Sequence, residues 1–242
     1  MTNFENIYKH PFTIEILDDT KGYGLFKKRE NEYADTELEY YINNSSFYLA
    51  HLISLLDQLK NAVELFSNYS YSKKDDVGRG KHLVYNYENF IIRIVSVSDR
   101  LMQLINAVFY LGINDRDVKE RLILNNDKVV ISEIPNKYKE LNKVLNKFKG
   151  DRNQVIHRHS YVEKKLKQID MFYHPEITKE YFETKSEKEI EELKTVRKMA
   201  LTDFIKKTKA DFGETNEICF EHINLILDEL HKEYGRMKIV LK

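Results

Sequence analysis

The chain has 242 residues, 42% of them apolar and 32% charged, with a formal net charge of zero. That length can bury a sizeable core, and a neutral whole sets up no global field toward nucleic acid or membrane, so a polyanion site has to be a local patch. The single cysteine, Cys219, excludes an intrachain disulfide framework and suits a reducing cytoplasm, where it reads as a small core hydrophobe.

The first six residues lack the form of a signal peptide. Phe12 to Leu17 alternates, Asp18 to Gly22 reads as a turn, and Tyr23 to Phe26 follows, which predicts a small hairpin or irregular arm over about residues 1–33. From Thr36 to Phe66 apolar residues recur at helical spacing, with Asn43-Asn44-Ser45-Ser46 as the place for a break. Ser67 to Gly80 is polar and reads as a loop.

Leu83 to Leu111 is the strongest helical pattern, ended by Gly112, and it carries a broad apolar stripe from Val84 to Phe109. Its apolar run is interrupted by Arg93, Asp99 and Arg100, so no membrane span is expected. A shorter helix, capped by Asn114, runs to Leu124, and Pro135 opens the next, which leads to Gly150. There Gly150 reads as a left-handed stop and Asp151 as the cap of a new helix from Arg152 to about Lys167. Two long helices close the chain, Ser186 to about Phe212 and Thr215 to about Tyr234, the first opened by a Ser186–Glu189 capping box. Eight glycines and three prolines are few, and short connections between long helices predict an all-α bundle of antiparallel neighbours.

The chemistry-bearing stretch is Arg152-Asn153-Gln154-Val155-Ile156-His157. At about 100° per residue, Asn153, His157 and Tyr161 share one helical face, with Arg152 about 140° from His157 and roughly 7.5 Å down the axis. A fixed cation, an amide, a group titrating near neutrality and a phenol are thereby gathered. Between residues 143 and 167, eight basic residues face only Asp151 and Glu163, a local charge of +6 that includes Lys149 and Arg158. Such a patch suits a polyanion, though a solvated lysine-rich face reads equally well.

Arg-Asn-x-x-x-His in this setting resembles the signature of the HEPN superfamily, all-α proteins that include many RNA-cleaving toxins and defence proteins. The resemblance covers roughly residues 83 to 167, with Leu83–Leu111 as the helix that packs against the motif helix. It makes the whole chain, residues 1–242, a single HEPN-like helical domain with an N-terminal arm and flanking helices from about 186 to 242. It implies a metal-independent endoribonuclease, a toxin or antiviral effector, in which His157 moves a proton and Arg152 clamps the phosphate. Asn153 would orient His157 or bind phosphate, and Tyr161 would stack a base or bond phosphate. Asp99, on the flank of the apolar stripe, would hold Arg152 or orient His157, with an ion pair to Arg93 or Arg100 as the alternative. Lys149 and Arg158 would support RNA binding; His159, about 200° from His157, reads as peripheral.

One histidine serves two proton transfers poorly, so the resemblance also implies a homodimer with a composite cleft. No cofactor and no metal are expected, since the histidines are scattered and no phosphate loop, GxSxG or paired cysteines occur. The expected partners are RNA, a second copy of the chain and an antitoxin or regulatory protein, in the cytoplasm. The competing readings are an inactive RNA- or nucleotide-binding module and a structural helical scaffold.

Overall fold

Helical periodicity becomes helix throughout the described part of this computed structural model, which comprises residues 3–24, 36–67, 69, 78–157, 164–174, 179 and 182–242. No strand occurs among them. The protein is all-α, with long helices α3 (Glu37–Leu65), α4 (Arg79–Val108), α7 (Ile134–His157) and α9 (Glu187–Val240). The shorter ones are α1 (Asn3–Tyr8), α2 (Pro11–Gly22), α5 (Glu120–Leu124), α6 (Asp127–Val130) and α8 (Lys164–Phe172). None of these helices is long and apolar enough to cross a membrane.

The N-terminal arm is neither a hairpin nor irregular over its described part: it forms α1 and α2. Alternation would put Phe12, Ile14 and Ile16 on one face, yet Phe12 and Ile16 are 0% and 1% exposed while Ile14 is 47% exposed. The buried set Phe12, Thr13, Ile16 and Thr20 has helical spacing, and His10 caps α2 by accepting from the Phe12 amide at 3.2 Å. Leu25 and Phe26 lie outside the described residues.

Five other expected breaks are absent or moved. Asn43 to Ser46 continue α3, because Tyr41, Ile42, Tyr48, Leu49 and Leu52 keep a buried face on both sides of them. Gly150 lies inside α7 and Gly213 inside α9, so α7 does not restart at Asp151 and α9 is one helix of 54 residues. Asn114 makes an Asx turn by accepting from the Arg116 amide at 3.1 Å, and α5 begins only at Glu120. Finally, α4 ends before Gly112. Leu111 N–H bonds to Asn106 C=O at 3.0 Å and Tyr110 N–H to Ala107 C=O at 3.1 Å, a Schellman pair centred on Tyr110 at φ +51°. The Ser186–Glu189 capping box forms as expected, with Glu189 accepting from the Ser186 amide at 3.0 Å and Ser186 Oγ accepting from the Glu189 amide at 3.4 Å.

The chain divides into two compact units. The first comprises residues 1–58, 94–147 and 216–242. Its core stacks Tyr41 on Tyr234 (centroids 5.5 Å) and sets Phe12 edge-on to Tyr234 at 5.7 Å. Two buried phenols there are satisfied: Tyr41 donates to Val108 C=O at 2.9 Å, and Tyr138 to Glu120 at 2.8 Å. Cys219 is fully buried, and burial pushes its thiol up to about 12, so it packs as the hydrophobe its pattern suggested. The second unit comprises residues 59–93 and 148–215 and is built on aromatic rings. Phe90 and Phe212 stack at 3.7 Å, Phe66 meets Phe212 at 6.0 Å and Phe204 at 5.9 Å, and Tyr87 lies 5.2 Å from Phe212. Each such pair adds about 0.5–1.5 kcal/mol beyond its area.

Candidate functional site

The second unit carries the Arg152–His157 stretch on the last two turns of α7. Along α7, Ile134, Tyr138, Leu141 and Leu145 are buried at a spacing of 4, 3 and 4, with Val144 beside them. Continued by 3 and then 4, the stripe reaches Phe148 and Arg152. Phe148 obeys it, set 5.9 Å edge-on against Phe90. Arg152 takes the next core-facing position, and its Nε is buried with no hydrogen-bond partner among the described residues. Its Nη1 donates to Asn153 Oδ1 at 3.3 Å. A desolvated donor without an acceptor costs about 1–3 kcal/mol, more when charged.

The neighbours divide as helix geometry requires. Asn153, Gln154 and Ile156 are exposed, while Lys149, Asp151 and Val155 are half-buried. Burial raises the Asp151 carboxyl above its ordinary range. His157 is the last residue of α7, one turn after Asn153. Because Gly150 does not break the helix, these residues lie within α7 and not at the anion-favouring N-terminus that an Asp151 cap would have created. Arg158, His159 and Tyr161 lie outside the described residues. Asp99 belongs to the first unit and is exposed on α4.

Beyond the stretch, α8 packs Leu166 and Ile169 into a core with Phe66, Leu83, Leu201 and Phe204. Close approach fixes it there, since a Cβ on Gly80 would come within 2.5 Å of the Asp170 Cα. Lys164, Lys165 and Lys167 remain exposed on the outer face of α8. A groove of about 280 Å³ joins Lys165 and Phe172 of α8 to Phe204 and Lys207 of α9, with Asp203 at its side. Sequence reasoning included Lys165 in the basic patch but missed Phe172 and Lys207. Their signal was the lysine-aromatic alternation along two amphipathic helices, which is the same for a packed face as for a binding face.

A family model described as Cthe2314-like HEPN matches residues 37–231, a wider span than the 83–167 stretch. Neither curated proteins nor solved structures gave a match.

Proposed function

The chain belongs to the Cthe2314-like HEPN family, and from that premise we propose that it is an endoribonuclease working without a metal ion, as a toxin or defence effector. The observation that carries the reading is the buried Arg152 guanidinium nitrogen with no partner among the described residues, on the stretch that ends in His157. RNA cleavage of this kind removes a proton from the 2′-hydroxyl, whose oxygen attacks phosphorus. The 5′-oxygen leaves and takes up a proton, so a 2′,3′-cyclic phosphate and a 5′-hydroxyl result.

Arg152 bonds the non-bridging phosphate oxygens and holds the charge that grows on them. His157 protonates the 5′-oxygen. Asn153, one turn earlier and exposed, orients the phosphate or the imidazole. Lys149, Arg158 and the lysines of α8 supply the field that gathers RNA, with Tyr161 as a stacking surface and His159 at the periphery. Asp99 is kept as a supporting carboxylate. Two copies of the chain, each bringing one such cluster to a shared cleft, provide separate groups for the two proton transfers.

The test is incubation of the full chain with total RNA in EDTA, beside Arg152→Ala and His157→Ala. Cleavage is expected from the unmodified protein alone, with products bearing cyclic phosphate. Undiminished cleavage in either variant refutes the assignment. Salt-sensitive RNA binding without cleavage at any protein concentration would replace it with a binding module.

A further inference from the structure

The first unit has a cleft of its own, about 560 Å³, where the end of α4 meets α3. Three tyrosines line it, Tyr40, Tyr48 and Tyr110, together with Asn44, Asn106 and Asp115. Tyr110 is held in the left-handed region at φ +51°, where an aromatic L-residue is an outlier and glycine would be unstrained. The ring is kept in place by the Tyr41 ring, edge-on at 5.8 Å, and by its hydroxyl, which donates to Glu37 Oε1 at 3.0 Å. Across the cleft the Tyr48 hydroxyl donates to Asp115 Oδ1 at 2.5 Å.

Among the described residues no lysine or arginine lines this cleft. Burial and the neighbouring carboxylates push the Tyr48 and Tyr110 phenols above their ordinary value, so both stay neutral donors. Arg100, whose charge reaches Tyr48, has its guanidinium bonded to Gln103 Oε1 at 3.0 Å. Each carboxylate accepts one tyrosine proton and retains lone pairs for further donors. Phosphate is the wrong ligand for such a surface. Aromatic faces beside carboxylates are what a desolvated organic cation requires, and two carboxylates at two tyrosines fit a chain with more than one ammonium group.

We propose that this cleft binds a polyamine-type alkylammonium cation, with Tyr40, Tyr48 and Tyr110 as the aromatic walls and Asp115 and Glu37 as the counter-charges. The site is separate from the Arg152 stretch and stands or falls without it. The probe is spermidine, titrated by calorimetry into the full chain at moderate salt, with adenosine monophosphate as the anionic comparison. Spermidine should bind with Kd of about 1 mM or tighter. Asp115→Asn keeps the shape and the Tyr48 bond but removes the charge, and should weaken binding tenfold or more. Tyr110→Gly keeps the left-handed turn without strain and removes one wall, with a similar loss. Circular dichroism establishes that both variants stay folded; should one unfold, the other decides. Absence of spermidine binding overturns the proposal. So does binding unchanged by the folded variants, or the nucleotide taking the cleft in place of the amine.

Discussion

Replacing Gly150 by alanine tests the helix that carries the Arg152 stretch, because the two possible backbones there predict opposite signs. Gly150 is exposed, lies seven residues before the end of α7, and has no left-handed φ. A Cβ built on it meets nothing within 4 Å. Only backbone entropy then changes, and glycine in a helix interior is worse than alanine by about 0.5–1 kcal/mol. Gly150→Ala should stabilise by that amount, which raises Tm by about 2–4 °C per kcal/mol in a chain of this size. Gly112 is the matched control: its Cβ would also meet nothing within 4 Å, but its φ is +68°. Gly112→Ala should therefore destabilise by about 1–2 kcal/mol, the cost of placing a Cβ in the left-handed helical region. Urea unfolding followed by far-ultraviolet circular dichroism reads both changes, with the m-value checked for constancy. A lowered midpoint for Gly150→Ala would mean that the helix stops there, Asp151 caps a new one, and the Arg152 stretch belongs to a helix N-terminus after all.

Two further outcomes are expected. Gly80→Ala forces a Cβ to within 2.5 Å of the Asp170 Cα and 2.2 Å of its Oδ1; one of these is backbone and cannot swing aside, so overpacking of about 1–3 kcal/mol should outweigh any helix gain, seen as a lower unfolding midpoint and faster amide exchange in α8. His10 accepts the Phe12 amide on Nδ1, so its proton is on Nε2, toward Asp228 at 3.1 Å, and burial holds its pKa below the ordinary 6.5 against the pull of Asp228. The folded state therefore binds fewer protons than the unfolded one: this contribution is complete above about pH 6.5 and is lost as pH falls toward the lowered folded value, at no more than about 1.4 kcal/mol per pH unit. His10→Asn, a capping residue that does not titrate, should flatten the unfolding midpoint between about pH 7.5 and 5.5; an unchanged slope would remove His10 as its source.

The long helices were legible because their buried faces repeat at helical spacing, as in Tyr41, Ile42, Tyr48, Leu49 and Leu52 of α3. What misled was punctuation. Glycine and short polar runs mark breaks only where the flanking apolar faces fail to line up, and Phe212, Asn216, Cys219 and Phe220 carry one buried face straight past Gly213. The opposite error came at Tyr110, where a residue that disfavours left-handed backbone takes the stop, since its ring and hydroxyl find partners there that glycine lacks. No local propensity encodes that.

The Arg152 stretch shows how the two kinds of signal combine. Taken as a motif after a stop, Arg152 and His157 sit at a positive helix end, which would bind phosphate through backbone N–H groups and disfavour a charged imidazole. Reading through Gly150 instead extends the 4–3 spacing of Ile134, Tyr138, Leu141, Leu145 and Phe148 to Arg152, which puts a guanidinium where the next core side chain would go. An ordinary surface arginine would keep all its donors in water, and an ordinary core position would be leucine. A cation at the end of an apolar stripe, with Nε buried and unbonded among the described residues, fits neither, and on the reading proposed above an incoming anion would resolve the desolvation. On that argument Arg152→Lys should fail to restore RNA binding although the charge is kept, because an ammonium cannot present the second, side-on donor that Nε supplies.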